Sequence, residues 1–293
     1  RDRCRTDLHV VDGELPNLNF PIIPGHEIVG HIVSLGKDVK AFSIGQRVGV
    51  PWLAHSCGHC PYCSTYRENL CDNPLFTGYT RNGGYASHVI SDASFSFPLP
   101  EDLQAVEIAP LLCAGLIGWR TLKLAGRVSV IGVYGFGAAA HIITQVANAR
   151  GIRVHAFVRP GDDKAADFAI SLGAASAQDS DVPSPERLDA ALIFAPIGSL
   201  VPNALASVKK GGAVVCGGIH MSDIPSFPYN LLWNERKLLS VANLTREDAH
   251  EFLKLANELS IKMHTVTYPL SAANDALSDL RNGRIQGAAV LVP

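Results

Sequence analysis

Ser129-Val-Ile-Gly-Val-Tyr134-Gly135-Phe136-Gly137-Ala138-Ala139-Ala140 is the stretch on which the fold turns. Its first six residues form an apolar, β-branched run of the length of a buried strand. They lead directly into G-x-G-x-x-A, and a helical stretch continues to about Arg150. Gly135 permits a tight turn, and Gly137 lets a pyrophosphate approach the backbone. The small Ala140 lets helix and strand pack closely, with phosphate on the helix N-terminus. A lone glycine motif is a weak signal, but this one sits between a strand and a helix. Further units follow: strand 154–158, helix 164–172, strand 190–194, helix 201–208 and strand 213–216. Such alternation predicts an α/β fold with a Rossmann doubly wound parallel sheet, here with a dinucleotide as its ligand.

The residue closing the second strand selects the dinucleotide. An acid there bonds the ribose 2′-OH of NAD, whereas an arginine accommodates the 2′-phosphate of NADP. The chain reads Val158-Arg159-Pro160-Gly161, with no acid before Asp162. Arg159 therefore favours NADP(H), with NAD(H) as the alternative. A solvated loop arginine, or one stacked on adenine, is the plainer reading of the same residue.

Upstream of this half, Cys57, Cys60, Cys63 and Cys71 fall within fifteen residues, spaced C-x2-C-x2-C-x7-C. Four thiolates so close suit a tetrahedral zinc, and a full Cys4 shell leaves no open position. The ion would be structural. A ferredoxin-type cluster is disfavoured, because its fourth cysteine follows after x3 and is succeeded by Pro. Here Asp72 follows.

Bulk properties agree with a folded globular protein. The 293 residues are enough for two domains. Net charge is −2 with no basic run, which argues against nucleic acid and anionic membrane surfaces. No apolar stretch approaches the roughly 20 residues of a membrane span. Seven cysteines, four of them clustered, suit reduced thiols holding metal in a cytoplasmic setting. The chain opens Arg1-Asp2-Arg3-Cys4, and functional residues this close to a frayed end predict a further N-terminal segment ahead of it.

The first hundred residues show short strands broken by Gly and Pro, as in an all-β, barrel-like unit. They carry Cys4-Arg-Thr-Asp-Leu-His9, Pro24-Gly25-His26-Glu27 and, further on, Leu112-Cys113-Ala114-Gly115. Singly, Cys4 and Cys113 read equally well as packed thiols and His26 as a turn histidine. In this order, with the cysteine lobe and the glycine turn, they resemble the zinc-dependent medium-chain alcohol dehydrogenases over essentially the whole chain. The turn Tyr134-Gly-Phe-Gly-Ala138 and the segment Ile219-His-Met-Ser-Asp-Ile-Pro-Ser-Phe-Pro228 resemble a bacterial branch of that family.

The resemblance implies a GroES-like β-barrel-type catalytic domain over 1–116, here N-terminally truncated, a Rossmann domain over 117–260, and a return to the catalytic domain over 261–293. It implies a catalytic zinc on Cys4, His26 and Cys113 with an open fourth position. That Cys2His set is the known one of alcohol dehydrogenase, borrowed from the family and not obtained from spacing. With the lobe, the count is two zinc ions per chain. Asp7 would orient His26, and Glu27 would sit behind the metal. Thr6 and His9 would match the proton relay, and Arg5 would meet the cofactor pyrophosphate. Trp52 would narrow the substrate pocket, while Leu15 replaces a second pocket tryptophan and widens it. Ala288 stands where many members place a phosphate-binding arginine.

The implied reaction interconverts alcohols and aldehydes or ketones. A zinc ion takes up negative charge developing on the substrate oxygen, and the proton leaves through Thr6 and the cofactor ribose to His9. Hydride goes to the nicotinamide in a dry cleft. A small-molecule alcohol or aldehyde is the expected partner, in a homo-oligomer, dimer or tetramer. The alternatives are a zinc reductase for another carbonyl class and a non-catalytic cofactor-binding relative. A zinc-finger nucleic-acid module would need a basic face that the composition does not supply.

Overall fold

The computed structural model describes residues 6–16, 20–261, 263–285 and 287–293. Cys4 and Arg5 lie outside the described residues. The chain opens with helix α1 (Thr6–Val11), which buries Thr6, Leu8 and Val10. Strand β1 (Ile28–His31) pairs antiparallel with β2 (Arg47–Val50). Strand β3 (Leu53–His55) pairs with β4 (Leu75–Phe76), and the cysteine lobe lies between them. β2 also pairs with β5 (Phe97–Pro98). Gly49 in β2 lets Leu112 pack close, since a Cβ there would lie 2.7 Å from Leu112 Cδ2 and push that side chain aside. Buried Arg47 holds the following loop, donating from its guanidinium to the carbonyls of Pro100 (2.8 Å) and Leu103 (2.6 Å).

Helices α2 (Ala105–Ile108) and α3 (Ala114–Ala125) lead into the parallel sheet. Its elements in chain order are β6 (Val130–Tyr134), α4 (Ala138–Ala149), β7 (Arg153–Val158), α5 (Asp163–Ser171), β8 (Ser176–Asp179), β9 (Leu188–Ile193), α6 (Leu200–Ser207), β10 (Val208–Cys216) and β11 (Lys237–Ser240). The spatial order is β11-β10-β9-β6-β7-β8, with every pair parallel. The strand order reverses beside β6, which is the switch point of a doubly wound sheet. The sequence expectation for this sheet is met. Val130, Ile131, Val133, Val154, Ala156, Leu192 and Val214 are fully or nearly buried, so helices cover both faces, as a parallel sheet demands. The rings of Tyr134 and Phe157 lie parallel with centroids 4.1 Å apart. Asp189 in β9 accepts the backbone N–H of Ser129 and of Val130 (2.7 and 2.9 Å), fastening the start of β6.

The last segment holds α7 (Arg246–Glu258), β12 (Thr265–Pro269), α8 (Ala273–Arg281) and β13 (Ala288–Val292), with β12 and β13 parallel. Among the described residues, those from Thr6 to Leu116 and Asn243–Pro293 form one compact unit, and Ile117–Ala242 form the other. The return therefore comes at 243, not at the expected 261. The reason is α7, whose buried face (Ala249, Phe252, Ala256) belongs to the first unit. A Cβ on Gly115 would come within 2.4 Å of the Phe252 ring, and His250 meets Phe97 edge-on at 5.1 Å. Thr245 and Asp248 close a reciprocal capping box at its start.

One ionic contact ties α7 to the cysteine lobe. Glu68 is 4% exposed and accepts from the backbone N–H (2.9 Å) and the Nε (3.1 Å) of Arg246. Burial alone would raise the Glu68 pKa, but these hydrogen bonds and the guanidinium charge outweigh it and hold it below 4.5. Glu68→Gln is expected to cost about 2 kcal/mol, the scale of charge-assisted hydrogen bonds. Because the folded pKa is depressed, the contribution is full above about pH 4.5 and is lost as pH falls through the folded value. Denaturant curves of wild type and Glu68→Gln should therefore differ at pH 7 and converge in acid; a gap that widens in acid would contradict the assignment.

Candidate active site and metal centres

The glycine turn has the form its residues predict. Gly135 has φ +84°, and a Cβ there would lie 2.6 Å from the Ala195 backbone nitrogen. That combination of left-handed backbone and close approach admits only glycine. Gly137 stands at the N-cap of α4, and Ala140 is fully buried against the sheet. The first N–H groups of α4 thus face the end of β6 without a side-chain cap, the arrangement that receives phosphate in such turns. Arg159 follows the last residue of β7 and is exposed. The nearest acid along the chain is already committed, since Asp162 caps α5 by accepting the Ala165 N–H (3.2 Å). Asp179, at the end of neighbouring β8, accepts the Gly161 N–H (3.2 Å).

His26, Glu27 and Cys113 come together in the first unit, with one ligand atom from each lying within 4.8 Å of the others. His26 is 2% exposed and Cys113 8%. His26 reaches the site from the turn Pro24-Gly25, where Gly25 has φ +99° and a Cβ would lie 2.5 Å from Tyr85. Cys113 sits at the junction between a 3-10 turn and α3. Asp7 lies behind the imidazole, with Oδ2 3.0 Å from His26 Nδ1. Its Oδ1 accepts the Gly25 N–H at 2.9 Å, and the Tyr85 hydroxyl lies 3.4 Å from Oδ2. Burial would raise the Asp7 pKa, but His26 and these donors outweigh it and hold the carboxyl below its ordinary value. With Nδ1 engaged, Nε2 is the nitrogen left to face a metal, 4.0 Å from Glu27 Oε1. This donor set of one imidazole, one thiol and one carboxylate fits zinc, and the carboxylate behind the histidine is the usual orienting partner. Asp7→Asn should cost 10–100-fold in metal affinity or activity, measured by zinc competition with a chelating dye; unchanged affinity would rule out the orienting role.

The four lobe sulfurs also lie within 4.8 Å of one another. Cys57 and Cys63 Sγ are 3.9 Å apart, and all four thiols are free. A disulfide needs about 2.05 Å, whereas Zn–S bonds of about 2.3 Å place tetrahedral ligands about 3.8 Å apart. Backbone N–H groups point at the sulfurs: Cys57 and Asn73 donate to Cys71 (3.2 and 3.3 Å), and Cys60 donates to Cys57 (3.4 Å). Backbone donors from Cys63 and Asp72 bring Cys60 down to about 6. Burial, with the neighbouring thiols, pushes Cys71 up to about 12. Four sulfurs so close cannot all ionise without a cation, and a dication supplies that charge.

The remaining expected residues are placed as follows. Thr6 and His9 lie three apart on α1, so they share a face; Thr6 is buried, and His9 is one-fifth exposed and paired through Nδ1 with Glu14. Trp52 packs on Phe76 (4.8 Å between centroids) and meets the His26 ring edge-on at 6.5 Å. Leu15 is half-buried at the turn after α1. Cys4 and Arg5 lie outside the described residues.

The alcohol dehydrogenase GroES-like domain model matches residues 2–101. A probable alcohol dehydrogenase, AdhA, of Mycobacterium tuberculosis is 46% identical, with the match covering 99% of this chain and 85% of the relative. The chain belongs to the zinc-type medium-chain alcohol dehydrogenase family. An alcohol dehydrogenase of Geobacillus stearothermophilus is 35% identical over 98% of this chain and 88% of its own length. Among solved structures, acetophenone reductase of Geotrichum candidum, in complex with NAD, superposes with a TM-score of 0.87 at 26% identity, covering 99% of this chain and 86% of that one. CAD of Helicobacter pylori, complexed with NADP(H), gives 0.86 at 25% identity, covering 98% and 86%. As a member of this family the chain is an alcohol/carbonyl oxidoreductase. Among the described residues, no single helix is long and apolar enough to cross a membrane.

Some residues around the family's site carry no sequence signal. Tyr85 supports Asp7 from a distant loop. His55 pairs with Asp92 (2.6 Å) beside the lobe. Each is a single residue whose partner is set by folding alone.

Proposed function

We propose that the chain is a zinc-dependent dehydrogenase of small alcohols and aldehydes that uses NADP(H). One zinc is held by Cys4, His26 and Cys113, with Glu27 behind it, and a second by Cys57, Cys60, Cys63 and Cys71. The observation that carries the reading is the meeting of His26, Glu27 and Cys113, with Asp7 seated on the far nitrogen of the imidazole. His26 and Cys113 are buried and Glu27 is partly buried, so three potential ligand atoms meet in the interior of the first unit.

When bound, the catalytic zinc supplies a Lewis acid and the nicotinamide a hydride acceptor. The chain's own residues do the rest. Asp7 keeps the proton of His26 on Nδ1 and holds the ring in one orientation. Trp52 and Phe76 form an aromatic wall near His26 that excludes water and limits substrate width. Thr6 Oγ1 accepts the proton of the substrate hydroxyl as it releases its own into the relay, and His9, at the end of that relay, passes a proton to water. With Glu14 engaging His9 Nδ1, exchange falls to Nε2. Gly135 and Gly137 leave room for the pyrophosphate, and the N-terminus of α4 compensates its charge. Arg5 supports the same phosphates. We assign the chain to a reducing cytoplasm and to a homo-oligomer, dimer or tetramer.

Arg159 supports the NADP(H) preference, since Asp162 is committed to its helix cap. Arg159→Asp is expected to lower kcat/KM with NADP(H) by tenfold or more and to leave NAD(H) within about threefold, each tenfold being about 1.4 kcal/mol. Equal losses with both cofactors would remove the argument. The reaction itself is tested with a steady-state panel of alcohols and aldehydes against both cofactors, run beside metal analysis. Absence of any nicotinamide-linked turnover in the zinc-loaded protein would favour the non-catalytic relative.

A further inference from the structure

The nucleotide-binding unit carries a charged recess at the end of the sheet opposite the glycine turn. Its volume is about 330 Å³, and its walls include Trp119, Leu122, Lys123, Arg127, Arg150 and Ile152. It lies where α3 and α4 end and where β6 and β7 begin. The five residues of β6, at about 3.3 Å each, separate it from the glycine turn by about 16 Å. It is therefore not part of the dinucleotide site.

Three cations line this recess and no acid does. Arg150 stacks on Trp119, its Cζ 4.6 Å from the ring centroid, and Trp119 is itself buried at 5% exposure. Stacking fixes the plane of the guanidinium and leaves its N–H edge for an acceptor. Among the described residues, no carboxylate or carbonyl accepts from the guanidinium of Arg127 or of Arg150. The helix ends do not consume this charge. Backbone groups close both helices, with the Arg150 N–H on Val146 and Ala147 and the Gly126 N–H on Lys123. Two helix C-termini contribute about −0.5 each against the two guanidinium charges of Arg127 and Arg150, which leaves roughly +1 facing the recess.

We propose that this recess binds a small, multiply charged phosphate anion, held by Arg127 and the Trp119-stacked Arg150. Guanidinium forks match phosphate oxygens bidentately, which selects phosphate over a monovalent anion. The Trp119 face is already occupied by Arg150, so the recess recognises the phosphate and has no platform for a base. The proposal does not depend on the assignment of the zinc ligands.

The test is calorimetric titration of the full-length, zinc-loaded protein, with the glycine turn filled by saturating NADP(H), with inorganic pyrophosphate at low ionic strength. AMP serves as the nucleotide arm and NaCl as the matched-ionic-strength control. The expected result is one saturable pyrophosphate site whose affinity falls at least 100-fold in the Arg127→Glu/Arg150→Glu double variant and about tenfold in Arg127→Gln. AMP should bind more weakly than pyrophosphate, and AMP binding as tight as pyrophosphate and lost in the double variant would overturn the phosphate-only reading. Lys210→Glu, an exposed charge reversal elsewhere on the same unit, should leave the affinity unchanged. Saturable binding that survives the double reversal while the glycine turn is occupied would lie outside the recess and overturn the proposal. Binding no stronger than the NaCl control, or weakened equally by Lys210→Glu, would overturn it too.

Discussion

Cys113→Ser should lose one zinc per chain and lower kcat/KM by 10³-fold or more, while the protein stays folded. Cys113 is buried at the start of α3, and serine is close to it in volume, so packing is little disturbed. The chemistry is not preserved. A serine hydroxyl stays protonated at neutral pH and is a poor zinc ligand beside a thiolate. A thousandfold loss corresponds to about 4 kcal/mol of transition-state stabilisation, the scale on which a Lewis acid acts on a substrate oxygen. His26→Ala should match it, because both residues serve the same ion. Retention of full turnover and two zinc ions by Cys113→Ser would remove Cys113 from the metal site.

The second large effect belongs to the cysteine lobe. Cys60→Ser, or removal of metal by a strong chelator, should lower stability by about 4 kcal/mol or more. For a chain this size that is roughly 10 °C in unfolding temperature. The lobe runs from Cys57 to Cys71 with only two 3-10 turns, and its hydrogen-bonded ladder is confined to β3 and β4 at its ends. Metal bonds must therefore hold what secondary structure does not, and structural zinc binding is folding free energy. The loss should extend to α7 through Glu68 and Arg246. Hydrogen exchange should rise in the lobe and the first turn of α7 together. A change confined to the lobe would mean that this ionic tie carries no coupling.

The sequence discloses those parts of the molecule whose cause is local. Residues 130–134 are an apolar run that ends at Gly135, and 154–158 are a mostly apolar run that ends just before Arg159-Pro160; both lie in strands. The lobe is legible because all four ligands lie within a single loop. β8 (Ser-Ala-Gln-Asp) is not legible: four half-buried, largely polar residues form a strand only because β7 offers them an edge. The domain boundary moves to 243 for a similar reason. The amphipathic pattern of α7 shows that one face is buried but not which unit buries it. His26 and Cys113 are far apart in sequence, and each alone reads as an ordinary core residue. Only the family resemblance joined them in advance, and the fold brings them together. Tyr85 had no such help, since its part depends on reaching Asp7 across the fold.

The most direct measurement of the central claim is anomalous diffraction at the zinc edge from crystals of the full-length protein. The account predicts two peaks per chain. One lies among the four lobe sulfurs; the other lies about 2.3 Å from Cys113 Sγ and about 2.1 Å from His26 Nε2. A single peak in the lobe, with His26 and Cys113 bare in protein purified with zinc, would contradict it.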